Sequence, residues 1–239
     1  MKKFILDDSL FELFPDAKIE YFTVFNIDNH LMQDNYSYFL DLLKKAKKEA
    51  QQYIQIDPFR DNEVVSSWRN VYQKFKKKKG ARSSIEALLK RVSQDRDFEP
   101  IIPLVDLYNS ISLRYGIPCG GENIDAISDN MHLGVTEGGD KFLPLGSDKD
   151  EPTLNGEVCY YDDEGAICRC WNWREAQRTM LTEDTKNAVL VTEAATREQA
   201  KSLHEAMKEL QALVNNVFDV VPNELITLDK NNKEGIIVK

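Results

Sequence analysis

Four successive segments between Tyr36 and Tyr115 carry apolar residues at three- and four-residue spacing, which is the repeat of an amphipathic helix. The spacing predicts four helices, which begin near Asn35, Asp61, Ser83 and Pro103. From Glu157 onward the pattern changes to short alternating or continuous apolar runs, which predict strands. A block of helices followed by hairpins favours an α+β fold with a mixed, largely antiparallel β core flanked by helices.

Three of the predicted helices carry recognisable end signals. Ser83 and Glu86 form a capping box, which predicts the start of the third helix. Pro103 suits the first position of the fourth helix, and Gly116 is expected to end it. Gly80 is expected to end the second.

Short strands are predicted on both sides of this helical block. The predicted strands are Lys2–Leu6, Ile19–Ile27, Met131–Thr136, Lys141–Leu145, Glu157–Tyr161, Ala166–Trp173 and Asn187–Glu193, with a last hairpin formed by Leu225–Leu228 and Ile236–Val238. A long amphipathic helix is predicted from about Thr196. Because no long linker is present, residues 1–239 are expected to form a single domain, in which residues 1–60 are either an integral part or an appended N-terminal subdomain.

The net charge of −9 argues against a protein that coats nucleic acid, because binding to the phosphate backbone depends on Lys and Arg. One basic run stands out, K-F-K-K-K-K-G-A-R at Lys74–Arg82. It is either the solvated end of a helix or a local contact for RNA phosphates.

Apolar runs and cysteines restrict the location of the protein. No apolar run is long enough to span a bilayer, and the one near Met1 is too short for a signal peptide, so we expect no membrane partner and a cytoplasmic location. The four cysteines are expected to be reduced and buried. Because the three histidines are scattered and no C-x-x-C pair exists, no metal is expected.

The stretch Ala166–Thr185, A-I-C-R-C-W-N-W-R-E-A-Q-R-T-M-L-T-E-D-T, mixes aromatic, cationic and hydroxyl side chains more densely than any other part of the chain. Tryptophan suits a flat ring, and arginine suits a carboxylate or a phosphate. Alternation along one strand would place Arg169, Trp171 and Trp173 on the same face. The stretch is therefore either the wall of a pocket for a ligand with aromatic and anionic parts, or a core segment whose arginines pair with nearby carboxylates.

A glycine-rich segment, G-I-P-C-G-G-E-N at Gly116–Asn123, follows the fourth helix. Gly120 and Gly121 either let the backbone approach a ligand closely or form a plain turn between helix and strand. Asn109 lies on a second, polar stripe of the preceding helix, which suits either a position beside a site or solvent exposure. The sequence contains no G-x-S-x-G elbow, Walker loop, dinucleotide fingerprint or H-E-x-x-H motif.

Two parts of the sequence carry a resemblance to a known family. The first comprises R-S-S-I-E-A-L-L-K-R-V at Arg82–Val92 and P-L-V-D-L-Y-N-S-I-S-L-R-Y-G-I-P-C-G-G-E-N at Pro103–Asn123. The second is C-R-C-W-N-W-R-E-A-Q-R-T-M-L-T-E-D-T-K-N at Cys168–Asn187. They resemble the B3/B4 domain of the bacterial phenylalanyl-tRNA synthetase beta subunit and, more closely, the free-standing B3/4-domain proteins. The resemblance covers roughly Asp61 to Val217.

The resemblance implies a B3/4-like fold and a link to editing. In the synthetase this domain hydrolyses the ester between a wrongly attached tyrosine and the 3′ adenosine of the tRNA. For this chain it implies a pocket that receives the 3′ end of an aminoacyl-tRNA in trans, with no cofactor and no DNA partner. The chain departs from the synthetase at Gly120, which stands in place of a histidine, and at W-N-W-R-E-A-Q-R-T, which replaces a glycine-rich run.

The leading hypothesis is a tRNA-associated domain that binds a mischarged aminoacyl-tRNA, with or without hydrolysis of its ester. Glu122 would supply a carboxylate, with Glu175 or Glu183 as alternatives, and Thr182 would orient the water. The expected substrate-binding residues are Asn109, Gly120, Gly121, Arg169, Trp171, Asn172, Trp173, Arg174, Arg178 and Thr185. The expected RNA-binding residues are Lys76, Lys77, Lys78, Lys79 and Arg82. The rival hypothesis is a non-catalytic binding module for an amino acid, nucleotide or related metabolite, which the absent histidine and the acidic net charge favour.

Overall fold

The computed structural model describes residues 1–238, which form two β-sheets and six α-helices. The helices are α1 (Asp8–Leu13), α2 (Tyr36–Ala50), α3 (Glu63–Val71), α4 (Ser84–Ser93), α5 (Pro103–Tyr115) and α6 (Leu203–Phe218). The strands are β1 (Lys2–Leu6), β2 (Lys18–Val24), β3 (Cys119–Asn123), β4 (Met131–Val135), β5 (Val158–Asp162), β6 (Gly165–Arg169), β7 (Arg174–Glu175), β8 (Ala188–Ala194), β9 (Ile226–Leu228) and β10 (Glu234–Val238).

The larger sheet has six strands in the order β10-β1-β4-β5-β6-β7, and the smaller has four in the order β3-β8-β2-β9. Only the pair of β1 and β4 is parallel among the strand ladders of residues 1–238. The predicted α+β fold with a largely antiparallel core is therefore confirmed. β1 and β2, which belong to the first sixty residues, lie inside their sheets rather than at the edges.

The predicted helix ends hold for α4 and α5 and fail for α3. The Ser83 side chain accepts a hydrogen bond from the backbone N–H of Glu86, and Gly116 adopts a left-handed conformation with φ of 67°. The second helix does not reach Gly80, since α3 ends at Val71. The chain leaves the helix there, and the backbone N–H of Lys76 donates to the carbonyl of Gly156 instead of to a preceding turn.

Three strand predictions are wrong. The predicted strand Ala166–Trp173 is interrupted, because Cys170 and Trp171 both have positive φ and turn the chain back into β7. Residues 141–145 form no strand and contribute a single bridge. The two C-terminal strands do not form a hairpin ladder, because β9 pairs with β2 and β10 pairs with β1.

The core contains the first two elements of the chain as well as the central sheets. Trp171 is fully buried and packs edge-on against Trp68, with ring centroids 5.7 Å apart, and its ring is tilted against that of Phe14 at a centroid distance of 4.9 Å. All four cysteines are buried and free. Within residues 1–238, no helix combines the length and the apolar character needed to cross a membrane.

Candidate functional site

A cavity of about 430 Å³ lies between the two sheets, where α4 and α5 close its side. Both sheets contribute to it, through β4 to β7 of the larger one and β3 and β8 of the smaller one. Its apolar lining includes Tyr108, Tyr160 and Trp173, and its polar lining includes three glutamates. A mostly apolar cavity with a few polar groups is the usual form of a small-molecule site.

The turn after β6 and the short strand β7 bring four consecutive residues, 172–175, to this cavity. One strand cannot do this, because successive side chains of a strand point to opposite faces. The left-handed conformations of Cys170 (φ 50°) and Trp171 (φ 67°) make it possible. Glu157 holds the turn, because its Oε1 accepts the backbone N–H of Cys170 at 3.0 Å and its carboxylate pairs with Arg169.

Glu122 and Glu175 place two carboxyl groups at the same cavity. Glu122 is 7% exposed, and its Oε2 has no hydrogen-bond partner among residues 1–238. Burial, and then the charge of Glu175, raise the pKa of Glu122 well above its ordinary value. Burial raises the pKa of Glu175 to about 7. Groups with such shifts in a cavity are candidates for acid–base chemistry or for ligand binding.

The third glutamate, Glu193, is part of a hydrogen-bond network. Its two oxygens accept from the Tyr160 hydroxyl and from Asn172 Nδ2. Burial raises the pKa of Glu193 to about 7. Asn172 Oδ1 in turn accepts from the Tyr72 hydroxyl at 3.1 Å and from the backbone N–H of Ser84 at 3.3 Å. Because both oxygens of Glu193 are satisfied, it differs from Glu122.

Two arginines line the cavity, Arg91 from α4 and Arg174 from β7. Arg174 is exposed and donates to the carbonyl of Leu145 at 2.6 Å. Arg91 donates to the carbonyl of Asp97 at 2.6 Å. Neither guanidinium forms an ion pair with a carboxylate of residues 1–238, so both retain donors for an anion.

The structure brings most of the sequence-predicted site residues together. The members of that set that line the cavity are Asn109, Gly120, Gly121, Glu122, Asn172, Trp173 and Arg174. They come from α5, β3 and the β6–β7 turn, which are far apart in the sequence.

Five other predicted site residues lie elsewhere and have structural partners. Arg169 is buried in an ion pair with Glu157, and Trp171 is in the core. Arg178 forms a bidentate pair with Asp162 at 2.7 and 2.9 Å. Thr182 and Thr185 form a turn, in which the Thr185 hydroxyl accepts from the backbone N–H of Thr182, and Asn29 donates to the Thr182 carbonyl.

The basic run lies in the connection between α3 and α4. Lys76, Lys79 and Arg82 are exposed. Lys77 donates to the carbonyl of Tyr72 at 2.6 Å, and Lys78 pairs with Glu151. The segment leads into α4, whose first residue, Ser84, lines the cavity.

Sequence reasoning missed several cavity residues, among them Tyr160, Glu193, Arg91 and Met131. Glu193 could have been found, because it is a charged residue at the end of a predicted buried strand. The others follow ordinary core or surface patterns, and only the packing of the two sheets places them at the cavity. Within residues 1–238, no group of three or more His, Cys, Asp or Glu side chains is arranged to hold a metal ion.

The two adjacent glycines of β3 should respond differently to substitution. A Cβ at Gly121 would lie 2.5 Å from Leu190 Cδ2 and 3.1 Å from the Val189 carbonyl oxygen, whereas one at Gly120 meets no atom within 4 Å. Gly121→Ala is therefore expected to lower the free energy of unfolding by about 1–3 kcal/mol, and Gly120→Ala by much less. Denaturant unfolding checks this, and equal midpoints for the two variants would contradict the described packing.

Glu175 should make stability depend on pH. Its pKa rises from 4.5 to about 7 on folding, so the folded state holds its proton more tightly. The stability that this gives is full below the unfolded pKa and is lost as the pH rises through about 7. As the pH is raised from 5 to 8, the free energy of unfolding of Glu175→Gln is expected to increase by on the order of 1 kcal/mol relative to that of the wild type, after allowance for the exposure of Glu175 to the cavity. Thermal unfolding of both proteins over this pH range is the measurement. A difference in stability between them that does not change with pH would exclude the effect.

Comparison with known proteins supplies two matches. The model of the B3/4 domain family matches residues 67–219. The fold is similar to that of an N-terminal fragment of the phenylalanyl-tRNA synthetase beta subunit from Pyrococcus horikoshii, with a TM-score of 0.50 and 14% sequence identity. That match covers 95% of this chain and 54% of the fragment, so the chain spans about half of it, and at this identity the likeness concerns the fold alone. No curated protein matches the chain.

Proposed function

The chain belongs to the B3/4 domain family, as its sequence motifs indicate, and on this basis we propose that it binds the aminoacyl end of a mischarged tRNA and hydrolyses the ester in trans. The observation that carries the proposal is the cavity that unites three carboxyl groups, one of them with an unsatisfied buried oxygen, with aromatic walls and arginines. The amino-acid side chain suits the apolar lining of Tyr108 and Trp173. A phosphate of the tRNA suits Arg174 and Arg91.

Glu175 is the best candidate for the general base. A base works best when its pKa lies near the operating pH, and the pKa of Glu175 is about 7. In the proposed reaction Glu175 takes a proton from water as the water oxygen attacks the ester carbonyl carbon. The bond between that carbon and the ribose oxygen then breaks, and the ribose oxygen receives the proton. The products are a free amino acid and an uncharged tRNA.

The developing oxyanion needs hydrogen-bond donors at the cavity. Ser84 Oγ is buried and has no hydrogen-bond partner among residues 1–238. Asn109 offers a side-chain amide from α5, on the same cavity. These two groups are the proposed donors. In this proposal Thr182, first expected to orient the water, has no direct contact with substrate, since it lies outside the cavity lining.

Hydrolysis of several mischarged tRNAs by the purified protein tests the proposal directly. Release of the amino acid should be faster than spontaneous deacylation for at least one aminoacyl-tRNA. Absence of both cleavage and tRNA binding at low salt, across aromatic, aliphatic and small amino acids, would overturn it.

The exposed cations beside α4 should contribute to tRNA affinity. The triple variant Lys76→Glu, Lys79→Glu and Arg82→Glu is expected to weaken tRNA binding by at least tenfold at low salt. The slope of log affinity against log salt should fall by about 2–3, since each phosphate contact contributes about 0.7–0.9. Three exposed lysines of α2, Lys44, Lys45 and Lys48, changed to glutamate form the charge-matched control. Equal losses in both triple variants would mean a general charge effect.

A second candidate function is a non-catalytic binding module for an amino acid, a nucleotide or a related metabolite. The position of Gly120 favours it, because the synthetase domain has a histidine there and no residue of 1–238 that lines the cavity is a histidine. A ligand that binds only the folded state raises its thermal stability. Stabilisation by free amino acids or nucleotides, without any effect of tRNA, would support this function over the first.

A further inference from the structure

Among residues 1–238, Glu122 is the cavity glutamate that has a buried carboxyl oxygen without a hydrogen-bond partner. It lies on β3, is 7% exposed, and its Oε2 accepts no hydrogen bond from residues 1–238. A buried acceptor without a donor is unfavourable, by more when it carries a charge. Glu193 provides the contrast within the same cavity, because Tyr160 and Asn172 satisfy both of its oxygens.

The surroundings of Glu122 are short of positive charge. Burial, Glu175 and Asp162 act against its ionisation, the Thr179 side chain and Arg178 act in its favour, and the pKa of Glu122 is raised on balance. Arg178 is itself held in a bidentate pair with Asp162. A ligand that brings a cation to the Glu122 carboxyl group would therefore favour its ionised form and would reduce the repulsion between Glu122 and Glu175.

A metal ion does not fit this place well, because within residues 1–238 no three His, Cys, Asp or Glu side chains are grouped to hold one. An ammonium group fits better. It carries three donors on one atom and needs no closed set of ligands. The walls of Tyr108 and Trp173 suit the apolar body of the molecule that carries it.

We infer that Glu122 binds the ammonium group of the ligand, and that the cavity takes an amine whose carboxyl group is esterified or amidated in preference to a free amino acid. In a free amino acid the carboxylate is two bonds from the ammonium nitrogen. It would then lie beside Glu122, which the bound ammonium group keeps ionised, and near Glu175, so that negative charges would repel one another. An ester or amide is neutral at the same place. The inference rests on the proposed function, since it assumes that the cavity receives an aminoacyl group.

Binding of small amides, which contain no ester bond, tests the inference without tRNA. Binding of phenylalaninamide and leucinamide is compared with that of 3-phenylpropanamide and 4-methylpentanamide, which lack the amine, and with that of free phenylalanine and leucine. At least one amino amide should bind tenfold or more tightly than both its deaminated and its free-acid counterpart. Glu122→Gln should abolish this preference, and Glu224→Gln, which removes an exposed charge, should keep it.

Several outcomes would overturn the inference: equal binding of an amide and its deaminated analogue, tighter binding of the free acid, no binding of any probe, or an unchanged preference in Glu122→Gln. If circular dichroism shows that Glu122→Gln does not fold, the inference is tested by the wild type alone, through its binding of the amino amides and of their deaminated analogues.

A second measurement separates this inference from the proposed function. Cleavage of an aminoacyl-tRNA is compared with cleavage of the same tRNA carrying an N-acetylated amino acid, which has no ammonium group. The inference expects at least a tenfold preference for the free amine. Equal cleavage of both would keep the hydrolase and overturn the role of Glu122. Amine-dependent binding of the small amides without any cleavage would keep the role of Glu122 and overturn hydrolysis.

Discussion

Replacement of Glu175 by glutamine is expected to slow ester hydrolysis by a factor of about 10²–10⁴, the usual contribution of a general base. Burial raises the pKa of Glu175 to about 7, so at neutral pH a large fraction of this carboxyl group can accept a proton from water. A glutamine cannot accept it. The side chain keeps its size, so substrate affinity should change much less than the rate.

The wild-type rate should also depend on pH in a defined direction. The base is active when deprotonated, so the single-turnover rate should rise with pH through about 7 and then level off. Glu175→Gln should lose this inflection, and Glu224→Gln should retain both rate and profile. A Glu175→Gln variant that cleaves at the wild-type rate would remove Glu175 from the mechanism.

Substitutions of Glu175 and Glu122 should affect different kinetic constants. Glu175 is proposed to act on the water, so its loss should appear mainly in kcat. Glu122 is proposed to hold the ammonium group, so its loss should appear mainly in KM and in the preference for a free amine. Identical effects of the two substitutions would mean that the pair acts as one structural unit instead.

Local sequence signals predicted those elements whose cause is itself local. The capping box at Ser83 and the terminal glycine at Gly116 set the ends of α4 and α5 through contacts within a few residues. The expected strand Ala166–Trp173 failed because its interruption has a distant cause. Glu157 binds the backbone of Cys170 and, with Arg169, fixes a turn that alternation of side chains does not reveal.

The same contrast between local and distant causes explains why only part of the candidate site could be predicted. The dense stretch around Asn172 and Trp173 does reach a cavity, as does the glycine pair of β3. The sequence could not show which arginines line the cavity and which form ion pairs, because both kinds have the same residue type. Asp162, the partner of Arg178, is near in sequence, but it ends β5 whereas Arg178 lies in the turn after β7, so the pairing depends on how the chain folds between them.

The largest effect on stability is expected from Arg169→Met. Arg169 and Glu157 form an ion pair whose side chains are 2% and 0% exposed, with contacts at 2.8 and 2.6 Å. Removal of one partner leaves a buried charge without its counter-charge, which costs about 3–5 kcal/mol. Arg197→Met is the matched control, because Arg197 pairs with Asp16 at the surface, where a pair contributes about 0–1 kcal/mol.

Denaturant unfolding at two pH values distinguishes lost charge pairing from lost packing. The pKa of Glu157 is below its ordinary value: burial opposes this shift, and the bonds from Arg169 and from the backbone of Leu154 outweigh it. The stability that Glu157 provides is therefore present above its unfolded pKa and is lost as the pH falls. The deficit of Arg169→Met should be large at pH 7 and smaller near pH 4, where Glu157 in the variant is protonated. A deficit that does not change with pH would assign the loss to packing alone.

Arg169→Met should also change the shape of the cavity, because Glu157 and Arg169 hold the turn that places Asn172 and Trp173 at the cavity. Arg169→Met is thus expected to weaken binding of amino amides under conditions in which the variant is still folded, even though Arg169 does not line the cavity. Arg197→Met should bind them as the wild type does. Wild-type affinity in folded Arg169→Met would show that the turn keeps its shape without the buried pair, and that the positive φ values of Cys170 and Trp171 are maintained by the core packing of Trp171 against Trp68.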